Sequence, residues 1–252
     1  MNSYKTIMSC LILIIGVQFK VSAQDEQIDH NFNSWWSNIN KYHLGAKTFL
    51  SSELHIRRTN GLDKWQQFLF RPAVNYKVND HLVSTVGYTF IQTYPYGDQP
   101  IVAVTPEHNV WEQVTLKHNI KKVNLSHRFR MEHRFIGQET VDSNGQYRTN
   151  GFNYAQRFRY RFTGQFPLSK NQKVFGKWFD EIWLNLSNSF MPRSLNQNWL
   201  YLGVGYRFSD IGNVQVGFMD QLIKKGDGVH YENNPTIQCS VSFELGRKKI
   251  KK

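Results

Sequence analysis

The sequence predicts an all-β fold, an antiparallel up-and-down transmembrane β-barrel of about ten to twelve strands. Three features of the 252-residue chain point there. Aromatic and branched residues alternate with polar ones at period two over long segments. The connections between those segments alternate between short and long. The chain opens on an apolar leader of export type.

Residues 1–23 combine Lys5, an apolar run from Ile7 to Phe19 and the small-residue end Val21-Ser22-Ala23. This is the composition of a secretory signal peptide, and cleavage is expected before Gln24. The run is too short for a membrane-spanning helix, which needs ~20 residues. Cys10 lies inside it with most of the apolar residues after it, a poor position for a lipid-bearing N-terminus. Cleavage removes Cys10, one of two cysteines, so Cys239 is left without an intrachain disulfide partner. An exported domain of this kind must be stabilised by its own burial or by a membrane. The formal charge of +12 falls only by the two lysines of the leader, Lys5 and Lys20. With no composition break beyond it, the expected organisation is a lead-in or first short strand at 24–45, a barrel at 46–245 and a basic periplasmic tail at 246–252.

Mean hydropathy is negative, yet a transmembrane strand needs only ~9 to 11 residues of alternating character. From Ala46 onward that alternation recurs, and period two means strands. Between 126 and 135, Phe129, Met131 and Phe135 alternate with Ser126, Arg128, Arg130, Glu132 and Arg134. Phe158, Tyr160 and Phe162 alternate with Arg157, Arg159 and Arg161, and Ile237, Cys239, Val241, Phe243 and Leu245 with Thr236, Gln238, Ser240, Ser242 and Glu244. Strands are expected near 46–58, 64–78, 81–93, 108–119, 122–136, 151–166, 173–188, 196–208, 212–224 and 234–245. A further short strand at Ser34 to Ile39 is either a periplasmic lead-in or part of a twelve-stranded barrel, because bacterial barrels usually have even strand numbers.

Short connections fall at Asn79-Asp80, Lys121-Lys122 and Ser209 to Ile211, with a modest one at Pro167 to Gln172. Long ones fall at Tyr94 to Glu107, Gly137 to Asn150 and Lys225 to Asn233. Short periplasmic turns with longer external loops are the outer-membrane pattern. The apolar parity then faces lipid, with Tyr88, Phe90, Tyr206, Phe208 and Phe218 as candidates for interfacial girdles. A soluble sandwich or lipocalin-like barrel would turn the same parity inward, but soluble strands average only ~5 to 6 residues.

The polar parity places Arg57, Arg71, Arg128, Arg130, Arg134, Arg157, Arg159, Arg161 and Arg207 in the lumen, with Glu53, Glu132, Glu181 and Glu244 as acidic partners. Two readings follow. The arginines and glutamates pair and fill a narrow barrel, or they form a basic, water-containing interior that attracts small anions. Pairing with four carboxylates leaves five arginines unneutralised. The ladders Arg128–Arg134 and Arg157–Arg161 should be neighbours in the sheet, so like charges face each other.

Trp65 to Tyr76 (WQQFLFRPAVNY), Ser126 to Phe135 (SHRFRMEHRF), Tyr201 to Gln221 (YLGVGYRFSDIGNVQVGFMDQ) and the closing Tyr231 to Leu245 together resemble the DUF2490 family of bacterial proteins. The resemblance spans essentially the whole mature chain. It implies an outer-membrane barrel and supplies no reaction or catalytic residue. One departure concerns export: barrels commonly end on an aromatic residue read by the insertion machinery, whereas Phe243 is followed here by nine further residues rich in lysine.

No GxSxG, HExxH, CxxC or phosphate-loop pattern occurs in the chain, so the strongest short enzyme signatures are absent. His127 and His133 are six residues apart, ~20 Å along a strand, too far to share one metal ion. No metal and no cofactor is expected. Asn124 and Asn185 match the glycosylation sequon but lie within strands. Lys121-Lys122 and Arg247 to Lys252 read as solvated ends rather than nucleic-acid contacts. The expected partners are outer-membrane lipid, the barrel-insertion machinery and small anions. A second class of function, a hydrolase or acyltransferase acting on membrane lipid, would need a serine such as Ser187 or Ser189, an acid such as Glu181 and a histidine to converge at the lipid boundary.

Overall fold

A computed structural model describes residues 27–98, 100–187, 194–225 and 229–246. The expected leader, its cleavage site and nearly all of the basic tail lie outside them. The described residues hold thirteen strands and no helix: β1 (Gln27–His30), β2 (Asn33–His43), β3 (Thr48–Thr59), β4 (Lys64–Lys77), β5 (Leu82–Thr93), β6 (Thr105–Ile120), β7 (Val123–Val141), β8 (Tyr147–Pro167), β9 (Val174–Asn185), β10 (Ser194–Arg207), β11 (Gly212–Lys224), β12 (His230–Asn233) and β13 (Thr236–Leu245).

Neighbours from β2 to β11 pair antiparallel in chain order. β11 pairs with β13, and β13 closes onto β2, giving an eleven-stranded barrel. In an up-and-down barrel the direction alternates, so a first and an eleventh strand must run the same way. The closing pair is accordingly parallel over ten residue pairs, from Thr236↔Asn33 to Leu245↔Tyr42. Both closing strands break at one level, at Asn31-Phe32 and Asn234-Pro235, and Asn33 N–H donates to Pro235 O across the gap at 2.9 Å. Beyond it β1 and β12 continue the parallel pairing.

Ten of the strands lie close to their expected positions, and the corrections are specific. The segment expected as a lead-in or short strand is the full eleven-residue β2, so the barrel begins at residue 33 rather than 46. The even strand number is not found. The expected long loop at 137–150 is largely strand, because β7 and β8 run on to Val141 and from Tyr147 and leave only residues 142–146 as a turn. Asp142 Oδ1 caps that turn, accepting from Asn144 N–H at 2.8 Å and Gln146 N–H at 3.0 Å. The expected loop 225–233 contains β12.

The odd count puts the two ends of the barrel chain on opposite rims. Gln27 enters at the rim carrying 94–98, 100–104 and 142–146, and Leu245 leaves at the rim carrying the turns 78–81, 121–122 and 168–173. We call these the loop rim and the turn rim. In a Cys239→Ser background, an impermeant thiol reagent applied to one side of the membrane should label His30→Cys together with Asn144→Cys, and Asn171→Cys only from the other side. Labelling of His30→Cys together with Asn171→Cys would contradict parallel closure.

Side-chain parity is inverted relative to a soluble barrel. Leu54, Ile56, Phe70, Val74, Val86, Val110, Val114, Phe129, Leu202, Val204, Val216, Phe218 and Ile237 face outward and are 36% to 65% exposed. Of the girdle candidates, Tyr206 and Phe208 sit at the turn rim and Tyr88 and Phe90 flank His108 on the outer face. Phe218 instead lies mid-strand, opposite Leu202 and Ile237. His127 and His133 also face outward, each against a tyrosine, at 2.8 Å from Tyr160 Oη and 2.7 Å from Tyr154 Oη.

Candidate functional site

The interior is built in layers against the wall. Where an aromatic side chain lies flat on the sheet, the strand beneath it carries glycine. Trp111 covers Gly87, at which a Cβ would sit 2.2 Å from the indole, and Tyr201 covers Gly203 and Gly217. Guanidinium groups form the next layer: Arg130 lies 3.9 Å from the Trp111 ring centroid, Arg161 4.0 Å from Phe179, and Arg207 4.5 Å from Phe175. Phe179 itself stacks on Tyr201 at 4.9 Å. A cation over a ring face is attracted by the ring quadrupole, more strongly when desolvated. The sequence therefore solves with aromatic rings part of what carboxylates alone cannot.

Carboxylates do the rest, in a lattice centred on Arg159. The register places Arg128 opposite Arg161, Arg130 opposite Arg159 and Glu132 opposite Arg157, so the arginine ladders do face each other. β9 supplies Glu181 opposite Arg161 and Trp183 opposite Arg159. Glu181, wholly buried, accepts from Arg128, from Arg159 Nε at 2.9 Å and from Arg161 Nε at 2.9 Å. Glu132, 1% exposed, accepts from Arg157 Nε and Arg159 Nη1, both at 2.7 Å, with Arg130 3.7 Å away. Arg159 thus bridges two carboxylates while its guanidinium lies 3.5 Å from the Trp183 ring. Arg130 also donates from Nε and Nη2 to Gln113 Oε1, at 2.9 and 2.7 Å.

Two carboxylates escaped the sequence reading. Glu107, expected in a loop, lies on β6 and takes a two-pronged bond from Arg134, Nε and Nη2 each at 2.7 Å. Its signal was obscured by Pro106, which is tolerated near a strand start. Glu232, also expected in a loop, lies on β12 and pairs with Lys225 and with the Tyr96 hydroxyl, the latter at 3.0 Å. Burial, and then the Glu232 carboxylate, hold the Tyr96 phenol above its ordinary pKa, so it stays a donor. Of the expected acidic partners, Glu53 accepts from Arg71 Nη1 at 2.6 Å and lies 3.0 Å from His55 Nε2. Glu244 pairs with His43 at 2.8 Å. Arg207 lies at the turn rim, donating to Gln172 O, apart from the central lattice.

A cavity of about 370 Å³ remains, reaching from the lattice to the loop rim at Tyr96 and Ile101. Its lining carries nine lysine and arginine side chains and four glutamates. Among the described residues no cluster of three His, Cys, Asp or Glu could hold a metal ion. The hydrolytic constellation is not assembled around Glu181, whose carboxylate lies inside the barrel under three arginines. Ser187 lies in the connection after β9, and Ser189 is outside the described residues.

Fold and interior together define a closed β-barrel turned inside out, apolar on its surface and charged within. The chain belongs to the family described as protein of unknown function (DUF2490), whose model matches residues 32–232. An uncharacterized protein of Methylorubrum extorquens is 29% identical over 239 residues, covering 93% of this chain and 95% of the relative. Among solved structures, the NanC porin aligns with TM-score 0.47 at 9% identity over 85% of this chain and 99% of its own. OmpT, an outer membrane protein of Vibrio cholerae, aligns with TM-score 0.38 at 12% identity over 77% and 58%.

Proposed function

We propose that this protein is an outer-membrane barrel whose interior admits small anions from the loop rim. The reading is carried by the inverted distribution of polarity. A continuous outward face of leucine, valine and phenylalanine on a soluble monomer would be an extreme exposed patch, whereas a bilayer covers it. The cavity's excess of cations sets up a positive potential in a low-dielectric enclosure, which concentrates anions. The barrel is no wide channel, since layered rings and paired guanidiniums fill most of the bore.

Two measurements test this. The protein should extract with membranes and migrate differently on gels before and after boiling, because a closed barrel has no free edge from which to unravel. Recovery in the soluble periplasmic fraction would remove the membrane reading. In planar bilayers under a KCl gradient the reversal potential should have the sign of chloride permeation. A potassium-signed potential, or no conductance, would remove the anion path.

A further inference from the structure

Within the interior, Arg57 differs from the other central arginines. It is 8% exposed and lines the cavity, yet among the described residues it makes no ion pair. Its side chain makes one hydrogen bond, from Nη1 to Gln67 Oε1 at 2.6 Å, and its Nε is buried with no partner. The Trp35 ring lies 3.7 Å from the guanidinium carbon and the Trp199 ring 5.7 Å. Those rings are themselves fixed: Trp35 Nε1 donates to Gln66 at 2.7 Å, Trp199 Nε1 to Gln197 at 2.9 Å, and the Trp199 ring lies tilted against Trp183 with centroids 4.4 Å apart. Arg57 is therefore held in place by its neighbours while Nη2 makes no hydrogen bond and Nε is shut away from solvent. Trp183, on another wall of the same cavity, also has a buried Nε1 without a partner.

Leaving a buried donor unmade costs the full desolvation of that group, and an unpaired buried charge costs more. An anion supplied from outside the chain would offset that cost at Arg57. We propose that Arg57 is the seat of a small oxyanion, a carboxylate or phosphate group on a solute that enters from the loop rim. The unbonded Nη2 of Arg57, a cavity-lining residue, offers N–H donors to a carboxylate or phosphate oxygen in a charge-assisted contact. The cavity has room for a molecule larger than a single ion, its volume corresponding to roughly a dozen waters at ~30 Å³ each. Glu232 and Glu107, both already paired to Lys225 and Arg134, border the same space and disfavour anions of high charge. A singly or doubly charged solute fits best. This assignment rests on the anion-admitting interior proposed above and gives it a binding group.

The test uses the folded full-length mature barrel in detergent and reads tryptophan fluorescence, since Trp35 and Trp199 adjoin the seat. Succinate and inorganic phosphate are titrated separately, at constant ionic strength held by chloride. The wild type should show a saturable change with one or both, with a Kd on the order of 1 mM, and the stronger probe identifies the oxyanion class. Arg57→Gln should weaken binding by at least about tenfold, whereas Arg57→Lys, which keeps the charge, should retain part of it. Arg207→Gln, at the turn rim, should titrate like the wild type, and unheated gel mobility confirms that each variant is folded. A wild type that shows no saturable change, or an Arg57→Gln variant that binds as tightly, overturns the proposal. Anion-selective conductance that persists while Arg57→Gln titrates unchanged would sink the seat and leave the anion path standing. Saturable binding without conductance would do the reverse.

Discussion

Glu181→Gln is expected to be the most damaging single conservative change in the barrel. The carboxylate is inaccessible to solvent and accepts from Arg128, Arg159 and Arg161 at once. Glutamine has nearly the same shape but removes the charge, so three guanidiniums lose their common counter-ion in a region from which water is largely excluded. Breaking a buried pair from one side costs about 3–5 kcal/mol, and three donors share this acceptor. Urea unfolding of the reconstituted barrel, followed by tryptophan fluorescence, should show a loss in that range or above. Adding Arg128→Gln to the same chain should recover part of it, since one fewer cation is stranded; the difference measures their coupling. Asp80→Asn provides the contrast. That carboxylate is 85% exposed in the turn between β4 and β5, 2.7 Å from Lys77, and its replacement should leave the unfolding midpoint nearly unchanged. Equal midpoints for Glu181→Gln and the wild type would show that the lattice is not a stabilising element.

Gly87→Ala is expected to cost about 1–3 kcal/mol although it adds one methyl group. The added Cβ would stand 2.2 to 2.6 Å from three atoms of the Trp111 indole, so the ring must leave its place on the wall. It cannot do so freely. Its Nε1 donates to Thr89 Oγ1 at 2.9 Å, and Arg130 lies on its other face. Displacing the ring therefore also disturbs a buried guanidinium. Gly45→Ala, in the β2–β3 turn with nothing within 4 Å of the added atom, is the matched control and should leave the unfolding midpoint unchanged. If both variants unfold alike, the layered arrangement of glycine, ring and guanidinium does not constrain the wall.

Much of the wall was legible because period two acts residue by residue. Wherever one parity is apolar and the other charged, as at Arg128–Phe135 and Arg157–Phe162, both the strand and its facing follow from the sequence. The segment Asn33–Asn40 is less clear for a local reason. Trp35 and Trp36 are adjacent and point to opposite faces, 2% and 39% exposed, and the surrounding residues are polar on both parities. Only the partners, β3 on one side and β13 on the other, make it a full strand. Glu107 and Glu232 were hidden similarly, each beside a break in the alternation at Pro106 or at Asn234-Pro235.

The sequence by itself determined the strand character, the antiparallel succession of the strands and the alternation of facing along each one. These follow from local alternation and composition, which every short window carries. Tertiary structure alone decided how the barrel closes, because β2 and β13 are some two hundred residues apart and no local pattern records their parallel register. It also decided which charges meet. Glu181 comes under Arg128, two strands away, and Arg57 settles between Trp35 and Trp199, because curvature brings distant walls within reach across the bore. Parity can tell which side chains enter the interior; the closed circuit of strands chooses their partners and, among the described residues, leaves Arg57 without an ion pair.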